Sequence, residues 1–198
     1  MGEKSARKRA FILKKAREVF ADRGFKDVTM KDIVEACQIS RGGLYLYFDS
    51  TKEIFLEVLN MRDASESAEE NVFTKAVNEN AASSDILALF LQEQKKELCN
   101  QEESLTMATY EFFFANKFPK NENPLKAQFD AAVQIIEKLI TDGVETGEFI
   151  CEDPKGAARN IMYVLEGLRI MSQTVGITEK NVNREILYLM KELLKEAI

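Results

Sequence analysis

Lys31, Arg41 and Lys52 stand where three successive helices are expected to begin. A helix N-terminus carries partial positive charge and favours Asp or Glu in its first turn by about 0.3–1 kcal/mol each, so a cation there has the unfavourable sign. Repeated at three starts, the arrangement makes sense when an anion sits among them. Together with the hydroxyls of Thr29 and Ser40, these starts form a set of phosphate sites. Next to the second cation runs SRGGLYLYF, residues 40–48, in which two glycines precede more apolar and aromatic surface than one helix face can bury. Arg41 is the side chain of this stretch best suited to bidentate readout of a guanine edge.

Other chemistries find little support. The 198 residues include no histidine, and Cys37, Cys99 and Cys151 are odd in number and far apart, which argues against a zinc site and a disulfide framework. The cysteines read as small buried hydrophobes in a reducing, cytoplasmic setting. No P-loop or dinucleotide glycine fingerprint is present. Acid–base work would fall to Glu111, Glu166 or Tyr110, which nothing pairs, so no enzyme and no cofactor or metal is expected. The longest unbroken apolar run is ILALFL, residues 86–91, too short for a membrane span, and the N-terminus lacks a secretion signal. The net charge is −6, but it is unevenly spread. Residues 1–50 hold 11 Lys and Arg against 7 Asp and Glu, and the following 148 hold 16 against 26. A basic N-terminal segment on an acidic body suits nucleic acid at one end only.

The elements that must position these residues are helical throughout. Phe11, Ile12, Ala16, Val19 and Phe20 recur at helical spacing through residues 5–23, and Gly24 follows as a stop. Thr29 and Asp32 form a capping-box variant for a short second helix, Ser40 caps a third, and Ser50 with Glu53 caps a longer fourth that frays near Glu79. Helical patterns resume at 85–99 and 102–117. Asn123-Pro124 and Asp153-Pro154 then open helices at 124–146 and 154–173, and a last helix covers 181–198. The helix from Pro154 is apolar on nearly every side and must be covered twice, most simply by a second subunit. The expected fold is all-α, with a three-helix head at 1–50 and a helical body at 51–198 joined through the helix that starts near residue 51. Two short helices behind a longer one have the spacing of a helix-turn-helix over about 29–48.

The run VTMKDIVEACQISRGGLYLYFDSTKEIFLEVL, residues 28–59, resembles the DNA-binding domain of TetR-family transcriptional regulators, whose pattern is roughly T-x-x-x-I-A-x-x-A-G-V-S-x-G-x-L-Y-x-Y-F-x-x-K-x-x-L. The resemblance implies a homodimer with two DNA-reading heads on a C-terminal domain that binds a ligand and dimerises. It implies phosphate contacts from Thr29, Ser40, Tyr45, Tyr47 and Lys52, and places Arg41, Gly42, Gly43 and Leu46 against base edges or the adjoining backbone. Lys31 joins them from the charge pattern alone. Leu44 and Phe48 match family core positions. Three departures stand out: Gln38 replaces the turn glycine and must take a left-handed conformation, Leu46 has no hydrogen-bonding group, and one extra residue precedes Lys52.

In the C-terminal part, Phe90, Met107, Tyr110, Phe114, Met162 and Tyr163 are candidates for a ligand pocket, with Glu111, Glu166 and Arg169 as charges that need a partner or a ligand. Phe129, Ile136, Ile161, Leu165 and Leu168 are the expected dimer contacts, by analogy with the family's four-helix interface. The function so implied is a cytoplasmic repressor that binds a palindromic double-stranded operator as a dimer and is released by a small lipophilic effector. A helical protein-interaction module is the alternative; it explains the apolar helix but not the basic head.

Overall fold

The computed structural model describes residues 2–61, 81–100, 104–119 and 121–194, and all regular elements among them are helices: α1 Glu3–Arg23, α2 Met30–Cys37, α3 Arg41–Tyr45, α4 Thr51–Asn60, α5 Ser83–Cys99, α6 Thr106–Ala115, α7 Pro124–Thr146, α8 Pro154–Thr174 and α9 Glu179–Lys191. The expected continuation of the fourth helix toward Glu79 lies outside the described residues, as does the end of the last one beyond Leu194.

The chain forms two compact units. One pairs Met1–Asp63 with Glu102–Lys117, and the other pairs Ala64–Gln101 with Phe118–Ile198. The first unit therefore extends past residue 50, the limit expected from the sequence. The reason is an aromatic junction: Phe20 of α1, Phe25 of the α1–α2 turn, Phe55 of α4 and Phe112 of α6 meet with ring centroids 4.8–5.2 Å apart. Phe20, Phe55 and Phe112 are fully buried there, so removing α4 or α6 would leave a large apolar surface in water.

Local signals explain the ends of these helices. Thr29 and Asp32 close a reciprocal capping box on α2, Ser40 accepts from the Gly43 amide at α3, and Ser50 accepts from the Glu53 amide at α4. α2 ends at Gln38, whose φ of 52° and ψ of 41° place it in the left-handed region, as its position in place of a glycine requires. Gly24 ends α1 at φ +78° and ψ −171°, open to glycine but strained for other residues.

In the second unit, α7 and α8 pack on each other, and α5 and α9 cover them. Leu87, Leu91, Val133, Ile140, Phe149 and Val182 are among the buried residues of this core. The N-cap of α5 is Ala82, which has no side chain to give. Glu148 takes over that role from the α7–α8 connection, accepting from both the amide and the hydroxyl of Ser84 at 2.9 Å. The Ser84 amide is the main reason its carboxyl titrates below the ordinary glutamate range.

Gln38→Gly should raise the unfolding free energy by up to about 1 kcal/mol, because glycine adopts the left-handed region without a Cβ clash. Urea denaturation of the two proteins measures it, and a destabilised variant would show that Gln38 contributes a contact worth more than its backbone strain.

Candidate nucleic-acid interface

α3 projects from the first unit with one side sealed and the other open. Leu44 and Phe48 are buried at 0% and 1% exposure, four residues apart on the inner seam. On the outer side Arg41 and Gly42 are exposed, Tyr45 is 39% exposed and Leu46 is 83% exposed, an uncommon position for a leucine that no core recruits. The Arg41 guanidinium lies 5.6 Å from the centre of the Tyr45 ring one turn on, close enough for a cation–π contact that orders a long side chain at the surface. Tyr47 is half-buried, and Thr29, Lys31, Ser40 and Lys52 are exposed around the starts of α2, α3 and α4. Ser40, Arg41, Gly42, Gly43, Tyr45, Leu46 and Tyr47 thus lie in and beside α3, with the other candidates at the adjoining helix starts.

The electrostatics at these starts are mixed. Each of α2 and α4 also carries an acid in its first turn, Asp32 and Glu53, which reaches back to the chain entering the helix. The Thr29 hydroxyl and amide hold the Asp32 carboxyl below the ordinary aspartate range, and Arg23, 2.9 Å away, adds to this. Lys31 lies 3.7 Å from Glu35 on its own helix, an exposed pair that is readily exchanged for another anion.

The two glycines differ. A Cβ on Gly43 would come 3.1 Å from the capping oxygen of Ser40, so the cap itself disfavours a side chain there. A Cβ on Gly42 would meet nothing within 4 Å. The fold leaves room at Gly42, and the chain does not use it.

Several other sequence expectations need correcting. Glu111 is not a charge waiting for a ligand: its Oε2 accepts from the backbone amides of Phe25 and Lys26 at 2.7 and 3.0 Å, tying α6 to the α1–α2 turn. A Cβ on Gly24 would come 2.5 Å from that oxygen, so the close approach requires glycine. Glu166 and Arg169 pair with each other, and Arg169 also binds Gln94 and lies 3.6 Å from Glu97, so its charge is satisfied within the second unit. Met162 is buried core, whereas Phe114, Tyr163 and Met107 are exposed and Phe90 and Tyr110 are half-buried. The nine pocket candidates are divided between the two units, with Met107, Tyr110, Glu111 and Phe114 in the first.

The expected dimer contacts are revised for a related reason. Ile136, Ile161 and Leu165 are 2%, 2% and 0% exposed inside their own subunit's core and cannot reach a partner. Phe129 and Leu168 are half-buried, Phe129 stacking on Tyr163 at 5.4 Å. The apolar side of α8 left open comprises Tyr163, Ile170 and Met171 with Gly167 between them, and Ile135 is exposed on α7. Among the cysteines Cys37 is buried, its thiol pushed up by burial, and Cys151 is partly buried, but Cys99 is exposed, contrary to expectation.

Comparison with known proteins bears on both units. Residues 12–58 match the model of bacterial regulatory proteins of the tetR family, and residues 86–183 match the tetracyclin repressor-like C-terminal domain. The chain belongs to the tetR family of transcriptional regulators: it is a DNA-binding regulator, not an enzyme. It is 29% identical over 154 residues to the uncharacterized HTH-type transcriptional regulator YfiR of Bacillus subtilis, covering 74% of this chain and 70% of that one. A putative transcriptional regulator from Saccharomonospora viridis, solved in complex with choline, shares the fold with a TM-score of 0.78 at 19% identity, over 96% of this chain and 100% of that one. The TetR-family regulator CifR, solved with a 26-base-pair operator duplex, shares it with a TM-score of 0.69 at 18% identity, over 93% and 95%.

Gly42→Ala separates fold from function. Alanine is the better helix former by about 1 kcal/mol, and the fold has room for its methyl group, so the variant should melt no lower than the parent. Its affinity for duplex DNA should nevertheless fall; unchanged affinity in a gel-shift titration would mean that DNA does not approach Gly42.

Proposed function

We propose that the chain is a ligand-responsive repressor that binds a palindromic operator as a homodimer and releases it when a small lipophilic effector binds the C-terminal domain. The observation that carries the reading is the open side of α3, where Arg41, Tyr45 and Leu46 stand exposed beside a glycine that the fold itself does not need. Arg41 reads a guanine edge, Leu46 offers apolar contact to a thymine methyl, and the hydroxyls and lysines at the starts of α2, α3 and α4 hold phosphates. The CifR operator complex supports the duplex as partner, and the choline complex of the Saccharomonospora viridis relative supports a small organic effector.

Dimerisation uses the open side of α8. A second copy covers Tyr163, Gly167, Ile170 and Met171 and joins Ile135 of α7 to the same contact. Two heads held in this way fit half-sites about one helical turn apart, and an effector acts by favouring a head spacing that no longer matches them. No helix among the described residues is long and apolar enough to cross a membrane, consistent with a cytoplasmic regulator.

Selection of bound duplexes from a random pool tests the reading, followed by a small-molecule screen for their release. Inverted repeats should be enriched, and enrichment of isolated, unpaired sites or of none would contradict it. A Cβ on Gly167 meets nothing within 4 Å, so Gly167→Arg should fold, sediment as a monomer and lose the selected duplex. A folded dimer at micromolar concentration would place the interface elsewhere.

A further inference from the structure

Arg9 lies on α1, outside the helix-turn-helix, and its guanidinium makes four kinds of contact at once. Nε donates to Glu57 Oε2 at 3.1 Å and Nη2 to Glu57 Oε1, a bidentate pair with α4. Nη1 donates to the backbone carbonyl of Tyr47 at 2.7 Å. The plane of the group lies 4.2 Å over the ring of Phe48, and Glu53 Oε1 is 4.0 Å away. The side chain is only 25% exposed.

The carbonyl of Tyr47 follows the end of α3 and accepts no backbone hydrogen bond among the described residues. A helix of five residues leaves most of its terminal groups to be satisfied from outside. One rigid, planar cation therefore holds the chain immediately after Tyr45 and Leu46, and locks it to α1 and α4 together. We propose that Arg9 is a positioning residue for DNA reading: it touches no DNA, but it fixes the direction in which Tyr45, Leu46 and Tyr47 leave the head. Lysine cannot replace it, because a single ammonium cannot hold a carboxylate in bidentate fashion, bind the carbonyl and stack on Phe48 at the same time.

The proposal rests on the assignment of α3 as the DNA-facing helix, and its test distinguishes the two. Full-length wild type, Arg9→Lys and Arg9→Ala are titrated against a duplex recovered from the random pool and against poly(dI-dC), at several salt concentrations and at a temperature where circular dichroism shows each protein folded. Val58→Ala, a core change on α4, serves as a control of comparable stability loss. Both Arg9 variants should bind the selected duplex weaker by about tenfold or more, the equivalent of one charge-assisted hydrogen bond. Their poly(dI-dC) binding should change much less, their salt dependence should match wild type, and Val58→Ala should bind normally. Where Arg9→Ala fails to fold, Arg9→Lys decides; where both fail, Glu57→Gln, which loosens the same clamp, takes their place with the same expectation.

Wild-type affinity in the folded lysine variant overturns the proposal. So does a shallower salt dependence, by about 1.8 in slope for the two Arg9 side chains of a dimer, because Arg9 would then hold a phosphate itself. Equal loss in Val58→Ala reduces Arg9 to general stability and also overturns it. If wild-type protein binds no duplex at all, the assignment of α3 fails first.

Discussion

A helix of five residues closes too few hydrogen bonds to be stable alone, and α3, Arg41–Tyr45, is such a helix. It also gives up half of its own surface: Leu44 and Phe48 are the buried seam, while Tyr45 and Leu46 remain in water. The order of α3 is therefore supplied by its neighbours within the first unit. Ser40 caps the start of α3, Arg9 holds its end, and the junction of Phe20, Phe25, Phe55 and Phe112 holds the helices that surround it. Edge-on and tilted ring pairs fix direction as well as burial, so this junction sets the angle at which α4 and α6 meet α1.

Carboxylates do comparable work at the loops. Glu111 gathers two amides of the α1–α2 turn, Glu148 caps α5 in place of Ala82, and Asp32 and Glu53 reach back across the starts of α2 and α4. Each satisfies backbone donors that a helix end or turn leaves open, which matters most where those donors are partly shielded from water. Asp32, Glu53 and Glu111 play this part in the first unit and Glu148 in the second. Of the basic residues of the head, Lys31, Arg41 and Lys52 are exposed at the starts of α2, α3 and α4.

The local signals were legible in the sequence because each acts within a few residues. The capping box at Thr29, the left-handed Gln38 and the Asn123-Pro124 and Asp153-Pro154 helix starts are all present as expected. Partners distant in the chain were not legible. Glu111 signals a need for a partner, but its partners are amides some 85 residues away, and an amide has no residue type to betray it. Arg9 likewise looks like one of many basic residues on α1 until Glu57 and the Tyr47 carbonyl come beside it. For α8 the pattern showed two apolar sides without saying which faces inward. Ile161 and Leu165 turn to the core, while Tyr163, Gly167 and Ile170, displaced by a fraction of a turn, remain open.

The central claim is that a basic head on an acidic body grips a duplex through phosphates around an exposed reading helix. The most direct measurement is the affinity for a selected duplex between low and moderate salt. Lys31 and Lys52 on the two heads of the proposed dimer supply four cations, and neutralising that many phosphates gives a slope of about −3.6 in a plot of log affinity against log salt. A steep linear fall of that size is the predicted result. An affinity that hardly changes with salt would contradict the account, because the contact would then be apolar and the exposed face of α3 would serve another partner.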